Sequence, residues 1–197
     1  AAVPFETAVR CFVPTIDGSA LLVVTRPGRI DLIDAASGAV LRSDAIGGGE
    51  VAEPELDHLA VVGDASLIFG ASADRLFAWR RGDDGSPVLI GQTALESGVT
   101  RLIGLPGIGR VAVAGNDHRI RLFAVPEGTD PTAPWTVVAT LESHGSPITA
   151  LSATDGAELL SADEGGQLVL WNAEAGQSLR SMSHGGPVRA ALLVGST

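Results

Sequence analysis

The sequence contains no lysine. All 13 basic residues are arginine, set against 23 acidic residues for a formal net charge of −10. A duplex nucleic acid needs a basic stripe to displace its counterions, and an anionic membrane surface needs a polybasic segment. The chain offers neither, so neither nucleic acid nor membrane is expected as a partner, and a basic protein surface is the better electrostatic match. Without lysine there is no Walker phosphate loop. The single cysteine, Cys11, excludes an internal disulfide and a cysteine-based metal site. It lies in Val9-Arg10-Cys11-Phe12-Val13, where a small hydrophobe fits, and it suits a reducing, cytoplasmic setting. Aromatic residues are only 4%, so Val, Leu, Ile and Ala must fill any core. No apolar run approaches the ~18 residues of a membrane span, and no window of ten or more residues keeps a 3.6-residue period. Ala1-Ala2-Val3-Pro4 has neither the features of a signal peptide nor an initiator methionine, so a processed or excised segment is expected.

What the chain does have is short apolar runs punctuated by turn residues. Hydrophobic residues make up 45%, and the 25 glycines and 11 prolines fall between the runs, as turns require. One plan recurs four times. Its clearest copy runs His144-Gly145-Ser146-Pro147-Ile148-Thr149-Ala150-Leu151, then Thr154-Asp155-Gly156, Leu159-Leu160-Ser161-Ala162, Gln167-Leu168-Val169-Leu170-Trp171-Asn172 and Gly176. Aligned on the end of the third run, Ile33, Trp79, Phe123 and Trp171 stand 46, 44 and 48 residues apart. The runs are four to seven residues long and bounded by Gly, Asp, Pro or Ser, which makes them strands. We label the four strands of each unit a to d. The first unit spans 8–14, 20–25, 29–34 and 39–42, the second 56–62, 66–70, 75–80 and 88–92. The third spans 99–104, 110–114, 119–125 and 135–141, the fourth 147–153, 158–162, 167–172 and 177–182. A partial fifth begins at His184-Gly185-Gly186-Pro187-Val188 and covers 187–193. The runs of strand b, such as Ala20-Leu21-Leu22-Val23-Val24, read as continuously apolar, as strands covered on both faces do.

The order of these elements resembles the WD40 repeat family. The resemblance implies an all-β fold, a β-propeller of four-stranded antiparallel blades. Four blades and one strand fall short of the seven usual in that family. Three readings are open: part of a larger propeller in a larger protein, a ring closed by pairing with itself or another chain, or closure as four blades alone. The first is preferred. A closed ring commonly completes a blade with a strand from the other terminus, and Ala1 to Phe5 offer at most a short d strand for the fifth unit. In the family a His before strand a, a Ser or Thr on strand b, the Trp of strand c and an Asp in the b–c turn form a hydrogen-bonded network. Carried over, the fourth unit supplies His144, Ser161 and Trp171, but the Asp position six before Trp171 is Gly165. The third unit has Asp117 at that position but Phe123 in place of Trp and no His. His184 opens the fifth unit. No unit is expected to hold a complete network, and rigidity is expected to come from apolar packing.

Catalysis finds little support. No Gly-x-Ser-x-Gly elbow occurs, the four histidines fall at non-equivalent positions, and neither His144 nor His184 has a second ligand at metal spacing. Gly47-Gly48-Gly49 lacks the strand-then-helix setting of a phosphate cradle, and Asp83-Asp84-Gly85 lacks the spaced ligands of a calcium loop. A central metal or cofactor site would put His, Asp or Glu on the a strands, where Val13, Leu59, Leu102, Leu151 and Leu192 stand instead. No cofactor is expected. The resemblance implies a non-catalytic scaffold for proteins or peptides. The alternatives are an enzyme propeller with a central metal or cofactor site and a self-assembling structural module. The d–a and b–c loops share one end of each blade and hold Glu50, Glu53, Glu55, Glu96, Glu142, Asp163 and Glu164, a candidate acidic face for a basic partner. Arg26 is the basic exception there. The 126–134 connection is the longest, and Trp135 after it is read as the start of strand d.

Overall fold

The computed structural model describes residues 8–15, 17–25, 28–46, 54–63, 66–125 and 135–194. Sequence expectations at Ala1 to Phe5, Arg26, Gly47 to Glu50, Glu53 and 126–134 lie outside these residues. The described residues form sixteen strands in four antiparallel four-stranded sheets, each in simple up-and-down order. The first sheet holds β1 (Val9–Pro14), β2 (Ala20–Thr25), β3 (Arg29–Asp34) and β4 (Val40–Ala45). The second holds β5 (His58–Val62), β6 (Leu67–Ala71), β7 (Arg75–Arg81) and β8 (Pro87–Ala94). The third holds β9 (Val99–Leu105), β10 (Arg110–Gly115), β11 (Arg119–Ala124) and β12 (Val137–Glu142). The fourth holds β13 (Ile148–Ala153), β14 (Glu158–Asp163), β15 (Gln167–Asn172) and β16 (Gln177–Ser183). The only helical element among the described residues is a 3-10 turn at Pro106–Ile108.

The chain divides into two compact units, one containing the first two sheets and the other the last two. In the first unit, Leu22, Val24 and Ile30 of the first sheet pack with Leu59, Ile68 and Trp79 of the second. In the second, Ala112, Ile120 and Leu122 pack with Leu159, Val169 and Trp171. Strands b and c are central in each sheet, and β2 and β6 are apolar at successive positions rather than alternate ones, as strands with an apolar neighbour on each face are. Each fully buried Leu, Ile or Phe contributes about 1.5–3 kcal/mol of transfer free energy. Strand d lies at the sheet edge, and β16 is exposed along its whole length.

An arginine tethers the two sheets of each unit at the end that carries the a–b and c–d turns. Arg42 on β4 donates to the Asp84 carbonyl in the second sheet's c–d turn. Arg110 on β10 donates to the carbonyls of Ala173 and Glu174 in the fourth sheet's c–d turn, at 2.8 and 3.2 Å. At the same end Gly107 meets the backbone of 155–156. A Cβ added there would overlap the Asp155 carbonyl oxygen, 2.8 Å from its carbon and 3.0 Å from Gly156 O.

Two expectations are corrected. Strand d of the third unit starts at Val137, and Trp135 precedes it, its ring edge-on to Phe123 with centroids 6.2 Å apart. The fifth unit's 187–193 forms no strand. The segment is extended alongside β13, with Thr149 donating to Val188 O and the Leu193 amide donating to Ser152 Oγ at 2.9 Å. Side-chain hydroxyls of β13 take part where a ladder would use backbone groups, so strand geometry is not met.

Cys11 sits at the margin of the first unit's core, packed against it and partly buried. Burial, with the Asp57 charge adding and Arg10 opposing, pushes its thiol pKa up to about 11. The thiolate is the nucleophile. At pH 8 its fraction is roughly a hundredfold below that of an ordinary cysteine, so alkylation of the folded protein by iodoacetamide is expected to be slower than in the urea-unfolded chain by about that factor. Equal rates in the two states would contradict the burial.

Candidate functional site

The loop end of the fourth sheet carries a buried polar chain that the sequence spacing missed. Asp163 is the last residue of β14, and its side chain turns inward beneath His144. His144 Nδ1 lies 2.8 Å from Asp163 Oδ2, His144 Nε2 lies 2.6 Å from Ser161 Oγ, and Trp171 Nε1–H donates to Ser161 Oγ at 2.8 Å. The His144 side chain is 1% exposed and Asp163's 2%, while Ser161 and Trp171 are buried. A carboxylate only accepts, so Nδ1–H donates to it. In the neutral ring Nε2 then accepts the Ser161 hydroxyl proton. Every member is bonded, which is the condition under which a buried polar network stiffens a structure instead of weakening it.

This overturns the expectation that no unit completes the network. The Asp lies eight residues before Trp171, not six, because the strand end rather than the turn supplies it. Gly165 stays in the turn. The same finding removes Asp163 from the partner-facing acidic set, since it is buried. Its other oxygen accepts the Gln167 amide at 2.8 Å, and its carbonyl accepts the Gly166 and Val188 amides at 3.2 Å each. One aspartate thus ties the b–c turn and the 187–194 segment to the core. His184 does not join the network. It is exposed, and its backbone N–H bonds Gly166 O at 2.8 Å.

The other sheets solve the same problem differently. In the third, Asp117 takes an ion pair from Arg121 at 2.7 Å and a hydrogen bond from Ser97 Oγ at 3.2 Å. Arg121 is nearly buried and also reaches Glu96 at 3.0 Å. Burial alone would raise the Asp117 pKa, but the Arg121 hydrogen bond and charge outweigh it and hold the carboxyl below its usual value. Asp117 therefore belongs to a charged cluster and not to a His–Ser–Trp chain. In the second sheet the register partner of Ser161 is Gly70, and Leu56 fills the space. A Cβ on Gly70 would overlap Leu56 Cδ1 and come within 3.0 Å of Trp79. A polar chain, an ion cluster and an apolar plug occupy corresponding places.

Of the remaining acidic candidates, Glu50 and Glu53 lie outside the described residues. Glu55 pairs with Arg10 at 2.8 Å, and Arg10 also reaches Asp57. Glu142 pairs with Arg119 at 2.9 Å. Glu164, on the b–c turn, is exposed and has no ion pair among the described residues. At these loop ends Glu55, Glu96 and Glu142 are exposed and each pairs with an arginine, of which Arg119 is exposed while Arg10 and Arg121 are largely buried. Exposed pairs of this kind contribute ~0–1 kcal/mol to folding, which leaves them free to exchange partners. Single-residue propensity cannot reveal the pairing, because Arg10, Arg119 and Arg121 are strand residues whose partners are fixed by register. Among the described residues, no three or more His, Cys, Asp or Glu are grouped as metal ligands would be.

No protein-family model and no curated protein matches the sequence. Among solved structures, that of U3-55K, a WD40 β-propeller protein, superposes with a TM-score of 0.71 at 18% identity, over 94% of this chain and 55% of that one. The likeness shows the fold, an all-β arrangement of WD40-like propeller blades. The chain spans about half the length of the structure it matches.

Proposed function

We propose that this chain is a non-catalytic scaffold that binds protein or peptide partners through the d–a and b–c loop end of its sheets, and that its four sheets belong to a larger ring. The observation that carries the reading is the likeness to a propeller chain of nearly twice the length, joined to the way each described loop end is built. There a buried group supports exposed carboxylates, weakly paired at Glu55, Glu96 and Glu142 and without an ion pair among the described residues at Glu164. Loops fixed on a stiff body present contacts without paying to order them at each encounter. Fold alone does not assign a function, and it is this loop chemistry that supports binding over catalysis.

The test uses two charge-reversed variants and cross-linking in the source cells. Glu142→Arg with Glu164→Arg alters the d–a and b–c end. Glu158→Arg with Glu174→Arg alters the opposite end. Partners captured by the unaltered chain are expected to be lost with the first pair and kept with the second. Equal retention or equal loss would refute the assignment of the binding end.

A further inference from the structure

The two faces of the first sheet are not equivalent. Leu22, Val24, Ile30 and Leu32 face the second sheet. On the other face Phe12 stands opposite Val23 and Leu21 opposite Ile33. These four, with Val9 and the 34–38 turn, line a cleft of about 390 Å³ whose rim residue Phe12 is 64% exposed. The ladders show what such a face receives elsewhere. The Leu21–Ile33 pair corresponds to Ile68–Trp79 in the second sheet and Leu159–Trp171 in the fourth. Within their own units, both of those pairs are buried against the preceding sheet.

The fourth sheet carries the complementary set. Leu160, Leu168 and Leu170 stand at the register positions of Leu22, Ile30 and Leu32. Leu168 and Leu170 are half-buried, and Met182, opposite Leu168, is exposed. Arg180 lies opposite Leu170 as Arg42 lies opposite Leu32. Arg42 uses that position to bond a carbonyl in the next sheet's c–d turn, and Arg110 does the same from β10. Arg180 is exposed and has no hydrogen-bond or ionic partner among the described residues. The one c–d turn that walls the cleft, 34–38, receives no arginine among the described residues.

We infer that a second copy of this chain fills the cleft with its fourth sheet. Leu168 and Leu170 of that copy meet Val9, Phe12 and Leu21 at the mouth of the cleft, over a floor of Val23 and Ile33 that is already buried in the single chain, and its Arg180 donates to the carbonyls of the 34–38 turn. This rests on the reading that four sheets are part of a larger ring and names what completes it. The contact is head-to-tail, because the two faces it joins are different.

Light scattering and sedimentation on four chains test it, with circular dichroism as the check of fold. The unaltered chain is expected at two or more times the monomer mass. Phe12→Glu and Leu170→Glu, each altering one face, are expected to be monomeric when alone and to form a heterodimer when mixed, since the mixture restores one intact pair of faces. Arg180→Glu is expected to weaken association by about tenfold or more, as loss of a charged hydrogen bond does. A monomeric unaltered chain overturns the proposal, as does a mixture no heavier than its components. If further repeats of a longer polypeptide occupy the cleft, the full-length protein is monomeric and Phe12→Glu leaves its mass unchanged, which also overturns it. Partner capture through Glu142 and Glu164 is independent of these outcomes, so the scaffold reading stands or falls separately.

Discussion

Gly107→Val is expected to lower the stability of the protein by about 3 kcal/mol, near the top of the usual range for overpacking. The side chain would be driven into the 155–156 backbone, and main chain cannot step aside as a side chain does. At this chain length that loss corresponds to a fall in melting temperature of about 6–12 °C. Gly145→Ala is the matched control. It lies in the same unit with nothing within 4 Å of its Cβ position, and is expected to stay within about 0.5 kcal/mol of the unaltered protein. Thermal unfolding followed by circular dichroism measures both. Similar melting temperatures for the two variants would show that the β9–β10 and β13–β14 turns do not approach as closely as described.

The second large effect is expected at Ser161. Replacing it with alanine strands the Trp171 indole N–H and His144 Nε2 in a fully buried site. Each stranded group costs about 1–3 kcal/mol, so Ser161→Ala is expected to destabilise by about 3 kcal/mol. A double-mutant cycle with Trp171→Phe separates the network from simple loss of a hydroxyl. With the indole N–H already gone, Ser161→Ala should cost less, by at least about 1 kcal/mol, in the range found for directly bonded neighbours. Additive losses would mean the three side chains do not act as a unit.

The fold was largely legible because punctuation and strand period agree. Strands β2, β3 and β15 begin and end where Gly, Asp and Pro place them, and the 44 to 48-residue spacing set the four sheets in order. The ends that shifted, at Trp135 and in 187–194, are those where a side-chain contact rather than a backbone ladder decides the conformation. The network was half legible. His144, Ser161 and Trp171 follow from their positions in the repeat, but a fixed count to the aspartate assumes a turn of fixed length. In this chain Gly165 and Gly166 make the turn and the carboxylate moves back to the end of β14. An Asp at a strand end followed by a Gly-Gly turn was the available signal. The ion pairs of Arg10, Arg119 and Arg121 could not be read in advance, because each joins segments 23 to 47 residues apart or spans a turn whose geometry only the folded register fixes.

The arginine tethers of the c–d turns end on main-chain oxygens: Asp84 O for Arg42, and the Ala173 and Glu174 carbonyls for Arg110. Every amino acid supplies that acceptor. Apart from Gly85, where an added Cβ would come within 2.8 Å of the Arg42 guanidinium, the side chains of those turns are thus released from joining blades, and mutations can accumulate in them without unfastening the body. A chain can share a blade plan with distant propellers while almost none of its hairpin residues remain recognisable.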